Sequence, residues 1–261
     1  MSPMDEPEPV RPARPHHKLT PDGRRMREVL SYSRRGNRFT PRQAEAWAAY
    51  QADWVIPDAA VDQPGFDLAG WFGRGPQGPD PSPAPGPTGA PGGLIVEIGS
   101  GVGEATAVLA AERPEYDVLA LEVWRPGVAD GLWRAAEAGA ANVRFCSVDA
   151  VWFIEHLLAP GSISELWTFF PDPWHKKKHH KRRLVDPAFA ALAASRLAVG
   201  GVWRLATDWA DYAEQMREVL DAEPALSGGV VERWAARPVT KFERKGIAAG
   251  RSITDLAYTR V

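Results

Sequence analysis

The sequence predicts an α/β fold in which a mostly parallel sheet is covered by helices on both faces. Three observations support this prediction. From residue 93 onward, short apolar segments alternate with amphipathic segments, which is typical of parallel strands joined by helices. A glycine-rich turn follows the first apolar segment, at a position where such folds bind ligands. The 261 residues, 44% of them hydrophobic, suffice for one sizeable core.

Five strands, each followed by a helix, can be assigned in order along the chain. The strands are the apolar runs "GLIVEIG", "YDVLALEV", "NVRFCSV", "SELWTFFPDPW" and "VWRLATD". The helices are the segments "EATAVLAAERP", "PGVADGLWRAAEAG", "AVWFIEHLLA", "DPAFAALAASRLAVGG" and "WADYAEQMREVLDAE". The C-terminal segment "RSITDLAYTRV" also has strand character, and we expect it to form an antiparallel strand at the edge of the sheet.

Composition divides the chain into four regions. Residues 1–20 are rich in proline and charge, which predicts a disordered tail. Residues 21–72 are predicted to form a basic arm and a helix. Residues 73–93 are almost wholly proline, glycine and small residues, which predicts a flexible linker or surface insertion. Residues 94–261 then form the α/β domain.

The helix of the second region has a clear start signal. Thr40 is a suitable N-cap, and Pro41 then occupies the first helical position, where its missing N–H costs nothing. Ala44, Trp47 and Ala48 recur at helical spacing and are predicted to share the buried face.

Charge and cysteine content indicate which partners and which cellular compartment to expect. The net charge of -2 conceals two basic clusters, from Arg24 to Arg42 and from Lys176 to Arg183, which would attract an anionic partner. The sole cysteine, Cys146, rules out an internal disulfide and is typical of a reducing compartment. Neither a signal peptide nor an apolar run of membrane-spanning length is evident. We therefore expect a cytoplasmic protein with no membrane partner.

The residues that follow the first three strands point to a nucleoside cofactor. The turn "GSGVG" contains Gly99, Gly101 and Gly103, which permit a tight turn and close ligand approach. Glu122, after the second strand, is placed to accept ribose hydroxyl groups. A dinucleotide and S-adenosylmethionine both fit these features. The acid Glu97 before the turn favours the cationic S-adenosylmethionine over a pyrophosphate, and Asp149 after the third strand is placed to accept the adenine amine.

The fourth strand ends in "FFPDPW", which sets an acid between two prolines. Pro171 and Pro173 restrict the backbone around Asp172 and give that carboxylate a stiff placement, as a recognition or catalytic group requires. Trp174 offers a flat face for stacking on a base. The following lysines and arginines suit a phosphate backbone. The histidines of this run do not predict a metal site, because no cysteine or carboxylate cluster accompanies them.

Five segments together resemble the bacterial tRNA (guanine-N7)-methyltransferase family: "EIGSGVG", "LEVWRPGV", "FFPDPWHKKKHHKRR", "LATDW" and "RPVTKFERKG". The resemblance covers the chain from about Arg34 to the C-terminus, outside the Pro/Gly-rich segment. It implies the Rossmann-like class I methyltransferase fold, S-adenosylmethionine as methyl donor, and a guanine in the variable loop of tRNA as acceptor. It implies no protein partner, and leaves a monomer and a homodimer both open.

The resemblance also implies site residues, by motif position. Cofactor contacts are expected at Glu97, Gly99, Gly101, Gly103, Glu122, Asp149 and Asp172. Substrate contacts are expected at Lys176, Asp208, Thr240, Lys241, Phe242 and Glu243. RNA contacts are expected at Lys178, His179, His180, Lys181, Arg182 and Arg183. One departure is that Lys245 stands where the family usually has arginine, and lysine cannot make the same bidentate contact.

The chemistry of methylation at N7 needs no general base, because this nitrogen already presents a lone pair. Asp172 and Asp208, each at the end of a strand, are the candidate catalytic residues, with binding and electrostatic roles; Glu243 is a third candidate. Two alternatives stay open: a methyltransferase acting on an exocyclic amine of an RNA base, and a non-catalytic tRNA-binding subunit.

Overall fold

The computed structural model describes residue 36, residues 38–73 and residues 90–261. The predicted tail at residues 1–20 and most of the predicted linker at residues 73–93 lie outside the described residues. The described chain forms nine α-helices: α1 (Pro41–Trp54), α2 (Asp58–Val61), α3 (Leu68–Trp71), α4 (Glu104–Glu112), α5 (Arg125–Ala138), α6 (Ala150–Leu157), α7 (Pro187–Arg196), α8 (Ala210–Asp221) and α9 (Lys241–Ala248).

The described part of the chain also forms eight strands and one 3-10 helix. The strands are β1 (Val55–Ile56), β2 (Gly93–Ile98), β3 (Tyr116–Leu121), β4 (Val143–Cys146), β5 (Ile163–Phe169), β6 (Leu197–Thr207), β7 (Leu226–Val231) and β8 (Thr254–Arg260), and the 3-10 helix spans Lys177–Arg182. All the strands belong to one sheet, in the order β1-β4-β3-β2-β5-β6-β8-β7. The α/β fold with a mostly parallel sheet is confirmed.

The position of the site follows from the strand order. The chain runs outward from β2 through β3 to β4, and β5 then pairs in parallel with the other side of β2. The order therefore reverses at β2, and ligands of parallel sheets bind in the crevice at such a reversal, outside the carboxyl ends of the strands. This arrangement brings the turn after β2 next to the "FFPDPW" segment after β5.

The N-terminal segment belongs to the same sheet. Val55 and Ile56 pair in parallel with β4 and extend the sheet beyond the strands that the sequence predicted. The Thr40 cap of α1 is confirmed, because its side chain accepts a hydrogen bond from the Gln43 N–H in a capping box. The predicted face is buried only in part: Trp47 packs against the core, whereas Ala44 and Ala48 are exposed. The buried face carries Gln43 and Ala46, because the Gln43 amide donates hydrogen bonds to the Pro126 carbonyl and the Asp130 carboxylate of α5.

The C-terminal end of the sheet differs from the prediction in one respect. β8 is antiparallel to β6, as expected, but it is not the edge strand, because β7 pairs with its other side. Gly228 makes this pairing possible, since a Cβ there would lie 2.0 Å from the carbonyl oxygen of Ala257. The edge of the sheet is therefore β7, which the sequence did not predict.

Apolar side chains fill both faces of the sheet. One cluster includes Trp203, Tyr212 and Leu256, and the other includes Ile95, Phe145 and Trp167. The sole cysteine, Cys146, is fully buried in β4 at the position that pairs with Ile56. Within the described ranges, we find no helix with the length and apolar character needed to cross a membrane.

Candidate active site

A cavity of about 880 Å³ lies at the carboxyl ends of β2, β3, β4 and β5. It brings together eleven residues predicted from sequence: Glu97, Gly99, Gly101, Glu122, Asp149, Asp172, Lys181, Arg182, Arg183, Thr240 and Phe242. Eight further predicted residues are not part of its lining: Gly103, Lys176, Lys178, His179, His180, Asp208, Lys241 and Glu243. The cofactor positions are thus grouped almost completely, and the substrate and RNA positions only in part.

The glycine turn presents bare backbone to the cavity. Gly99 and Gly101 have φ angles of 72° and 60°, in the region that glycine adopts without strain. A Cβ added to Gly99 would meet nothing within 4 Å. Glu122 ties the turn to β3, because its carboxylate accepts hydrogen bonds from the N–H groups of Gly101 and Trp124, both at 2.8 Å.

Gly103 has a different function from the other two glycines. A Cβ at this position would lie 2.6 Å from the Cα of Gly131, so its absence lets α4 pack closely against α5. Gly103 is buried and does not line the cavity. The structure assigns Gly103 a role in helix packing, and its predicted cofactor contact stays a prediction.

Glu97 is a buried carboxylate at the base of the cavity. Its side chain accepts a hydrogen bond of 2.5 Å from the Thr106 hydroxyl. Burial raises the pKa of Glu97 to about 7, the Thr106 hydrogen bond opposes this rise, and the negative charge of Glu122 adds to it. A cationic ligand in the cavity would offset the cost of holding this carboxylate ionised. The site is therefore suited to a positively charged cofactor.

Asp149 has a local partner as well as a position in the cavity. Its carboxylate caps α6 by accepting a hydrogen bond of 3.0 Å from the Trp152 N–H. The cap fixes the carboxylate at the end of β4, beside the loop that carries Glu122. The same side chain can thus begin the helix and face a ligand.

The segment from Phe170 to Trp174, named here the Asp172 corner, is strained at both ends. Phe170 and Trp174 have φ angles of 53° and 46°, which bulky side chains rarely adopt and which cost about 1–3 kcal/mol each. Asp172 lies between them with an exposed side chain. Such strain persists only where surrounding contacts impose it, and it holds the acid out toward the cavity.

The basic run divides into an exposed and a buried part. Lys176, Lys177, Lys178 and Lys181 are exposed, and Arg182 lies 5.1 Å from the centre of the Trp174 ring. His179 and His180 are half-buried. Arg183 is buried, with only 3% of its surface exposed, and its guanidinium is bound by protein acceptors. The structure thus places the Arg183 guanidinium among protein acceptors, and its expected contact with RNA stays a prediction.

The C-terminal motif forms the start of α9. Thr240 caps this helix and lines the cavity, and Phe242 lines it with 44% of its surface exposed. Glu243 is instead buried, because its carboxylate accepts hydrogen bonds from Arg233 at 2.7 Å and Arg237 at 2.6 Å. The structure places Glu243 in ion pairs inside the protein, and its expected substrate contact stays a prediction.

Asp208 lies behind the cavity rather than in it. One of its oxygens accepts two hydrogen bonds from Arg251, at 2.9 and 2.7 Å. A Cβ on Gly246 would lie 2.8 Å from Asp208, so the missing side chain lets α9 pack directly on this residue. Asp208 therefore packs against α9 outside the cavity lining, and its catalytic role stays a prediction.

Three sets of contacts around the site were not predicted. Glu104, at the start of α4, accepts hydrogen bonds from the Lys241 N–H and from the Arg244 guanidinium, the latter at 2.9 Å. Arg251 holds Asp208. Arg237 lies within the quoted motif "RPVTKFERKG", and this was the signal that could have identified it. Lys245 is exposed. In the same motif, it is the guanidinium of its neighbour Arg244 that pairs with Glu104.

The described residues contain no group of three histidine, cysteine, aspartate or glutamate side chains arranged to hold a metal ion.

Comparison with known proteins identifies the family. Residues 92–256 match a family model described as a putative methyltransferase. A tRNA (guanine-N(7)-)-methyltransferase of Nocardioides sp. is 68% identical over 99% of this chain and 98% of its own length. This chain belongs to that family. A relative of the same name from Cutibacterium acnes is 45% identical over 90% of this chain and 84% of its own.

Among solved structures, TrmN from Thermus thermophilus aligns with a TM-score of 0.46 and 17% identity. The alignment covers 65% of this chain and 44% of TrmN.

Proposed function

We propose that the protein transfers a methyl group from S-adenosylmethionine to N7 of a guanine in the variable loop of tRNA. The observation that carries the proposal is that the glycine turn and the Asp172 corner line one cavity. This arrangement supports a cofactor site next to an acid suited to base recognition. Family membership supplies the identity of the reaction. A tRNA substrate supports a cytoplasmic location, which we include in the proposal.

The cofactor site is formed by residues that suit a cationic nucleoside. S-adenosylmethionine supplies a methyl group on a positively charged sulfur. Glu97 provides the compensating negative charge, and the bare backbone of Gly99 and Gly101 allows close approach. Glu122 and Asp149 each present a carboxylate at the cavity wall, suited to ribose hydroxyls and to an adenine amine respectively.

The acceptor base needs alignment rather than deprotonation. We assign Asp172 to hold guanine by accepting hydrogen bonds from its N1–H and its exocyclic amine. A fixed carboxylate in this position also favours the positive charge that the purine acquires on methylation at N7. Phe242, exposed at the cavity, offers a ring on which the base can stack. Proximity of this kind can contribute about 7–11 kcal/mol to catalysis in favourable cases.

The tRNA backbone meets the exposed basic run. Lys176, Lys177, Lys178 and Lys181 are exposed on or beside the 3-10 helix that follows the Asp172 corner. Arg182, stacked on Trp174, extends the positive surface to the cavity lining. Binding through phosphates should make affinity fall steeply with salt.

The test is methylation of unmodified tRNA by the purified protein, with the product nucleoside identified by mass spectrometry and its position mapped. The wild-type protein should yield N7-methylguanosine in the variable loop. Asp172→Asn should lower kcat by about 10²–10³-fold, because it removes the negative charge at the base. Asp53→Asn, an exposed change on α1, is the matched control and should retain wild-type kcat.

Other products would overturn the proposal. An N2- or N6-methylated base would identify an exocyclic-amine methyltransferase. Binding of tRNA without any methyl incorporation would identify a non-catalytic subunit. Wild-type kcat in Asp172→Asn, with normal affinity for the cofactor, would show that the carboxylate has no role in base recognition.

A further inference from the structure

The last arginine of the basic run, Arg183, is bound to the protein through all three nitrogens of its guanidinium. The Nε of Arg183 donates a hydrogen bond of 2.8 Å to the carbonyl oxygen of Pro173. One terminal nitrogen donates to the Gln215 amide oxygen at 2.7 Å, and the other donates to the Asp211 carboxylate at 2.8 Å. The side chain is 1% exposed. All three guanidinium nitrogens are therefore engaged inside the protein, which leaves none directed at a phosphate in solution.

We propose that Arg183 is a positioning residue for methyl transfer, which fixes the Asp172 corner by tying it to α8. This inference rests on the proposed function of the cavity.

Hydrogen bonds hold the corner at both of its ends. Pro171 and Pro173 lack backbone N–H groups, so they cannot anchor the segment by donating hydrogen bonds. Its first end is held because the Phe170 N–H donates to the Ala206 carbonyl of β6 at 2.7 Å. Its second end is held by Arg183 on the Pro173 carbonyl, directly before the strained Trp174. Asp172 lies between these two attachments.

On its other side, the Arg183 guanidinium is bound to helix α8. Asp211 and Gln215 lie one turn apart on α8, and both accept from Arg183. The Tyr212 side chain between them is fully buried, and its ring centre lies 4.7 Å from the guanidinium carbon of Arg183. Its hydroxyl accepts a hydrogen bond of 3.1 Å from the Val185 N–H, so the chain after Arg183 is also fixed to this helix. Arg183 thus links the Asp172 corner to α8, so that the position of the corner depends on this helix.

The substitution Arg183→Lys tests whether the hydrogen bonds of the guanidinium, rather than its charge, are needed. It keeps the charge but cannot reproduce three hydrogen bonds in the fixed planar geometry of a guanidinium. Displacement of a reacting group by about 1 Å can lower a rate by about 10²-fold, so we expect Arg183→Lys to lower kcat by roughly that factor. Affinity for the cofactor and KM for tRNA should stay near their wild-type values. Arg144→Lys is the matched control, since Arg144 also donates to backbone carbonyls but lies outside the cavity lining.

The salt dependence of tRNA binding separates positioning from direct contact. Each phosphate contact contributes about 0.7–0.9 to the slope of log K against log salt concentration. Arg183→Lys should leave this slope unchanged, and Lys178→Ala, at an exposed position, should reduce it by about that amount. Wild-type kcat in Arg183→Lys, or a slope reduced as in Lys178→Ala, would overturn the proposal.

Two further measurements keep the test decisive. Should Arg183→Lys fail to fold, Asp211→Ala loosens the same brace from a side chain that is 49% exposed. It should lower kcat without altering the salt slope, and wild-type kcat in this variant would overturn the proposal.

Amide hydrogen exchange tests the brace without reference to activity. Arg183→Lys should accelerate exchange in the peptide that spans residues 169–176 while leaving β3 unchanged. Unaltered exchange in that peptide would refute the brace. Absence of tRNA methylation by the wild-type protein would instead refute the proposed function, so the two failures are distinguishable.

Discussion

Arg237 is predicted to be the ion-pair residue whose loss destabilises the protein most clearly. Its guanidinium is fully buried and binds two carboxylates, Glu243 of α9 at 2.6 Å and Asp255 of β8 at 2.8 Å. These carboxylates are themselves 1% and 5% exposed. Replacement by alanine would remove the cation and leave both acids inside the protein.

The stability lost in Arg237→Ala depends on which of the two carboxylates keeps a cationic partner. Glu243 retains Arg233, whereas Asp255 loses its guanidinium partner. Removing one member of a buried pair typically costs about 3–5 kcal/mol, because the remaining charge is uncompensated. At about 2–4 °C per kcal/mol for a domain of this size, Arg237→Ala should lower the Tm by about 6–20 °C.

The assay is thermal unfolding followed by circular dichroism, with Arg217→Ala as the matched control. Arg217 also binds two carboxylates, Glu214 at 2.6 Å and Asp221 at 3.1 Å, but on the exposed face of α8. Exposed pairs contribute little to stability, so this control should leave the Tm close to that of the wild type. Equal shifts in the two variants would refute the argument that burial decides the cost.

Three further changes have definite expected outcomes. Burial raises the pKa of Glu97 from its ordinary 4.5 to about 7, so its contribution to stability is complete below pH 4.5 and is lost as the pH rises through 7. Urea unfolding should show that wild-type stability falls by about 3 kcal/mol over this interval relative to Glu97→Gln, and a parallel pH dependence would contradict the assignment. Phe242→Ala should raise KM for tRNA about 5- to 150-fold if a base stacks on the ring, and an unchanged KM would exclude stacking. Deletion of residues 76–88, within the segment that composition predicts to be a linker or insertion, should leave methylation kinetics unchanged, and a large loss would assign that segment a role in the reaction. The deletion must spare Ala90, which is fully buried.

The parallel strands β2 to β6 were predictable because each contains a continuous apolar run flanked by turn residues. The two strands that were missed lack this signal. β1 has only two residues, too few for a periodic pattern. β7 reads "LSGGVV", and its glycines are required by the approach of Ala257 on β8 rather than by any local preference. Their pairing is decided by distant segments, which local periodicity does not report.

The cofactor side of the site was predicted more fully than the substrate side. Glu97, Glu122 and Asp149 follow or end successive parallel strands, and the topology brings such positions together. The basic and C-terminal motifs identify the family but do not reveal which charges are buried. Arg183 is buried because of Asp211, 28 residues later, and Arg237 because of Asp255, 18 residues later. Motif spacing does not encode these pairings.

The location of Cys146 inside the sheet has a practical consequence. Because the chain has no other thiol and this one is shielded between strands, maleimide dyes should leave the native protein unlabelled. A cysteine introduced at an exposed position of the 3-10 helix, such as Lys177, would then be the single labelled point. Fluorescence from that point would report the arrival and departure of a nucleic acid in real time.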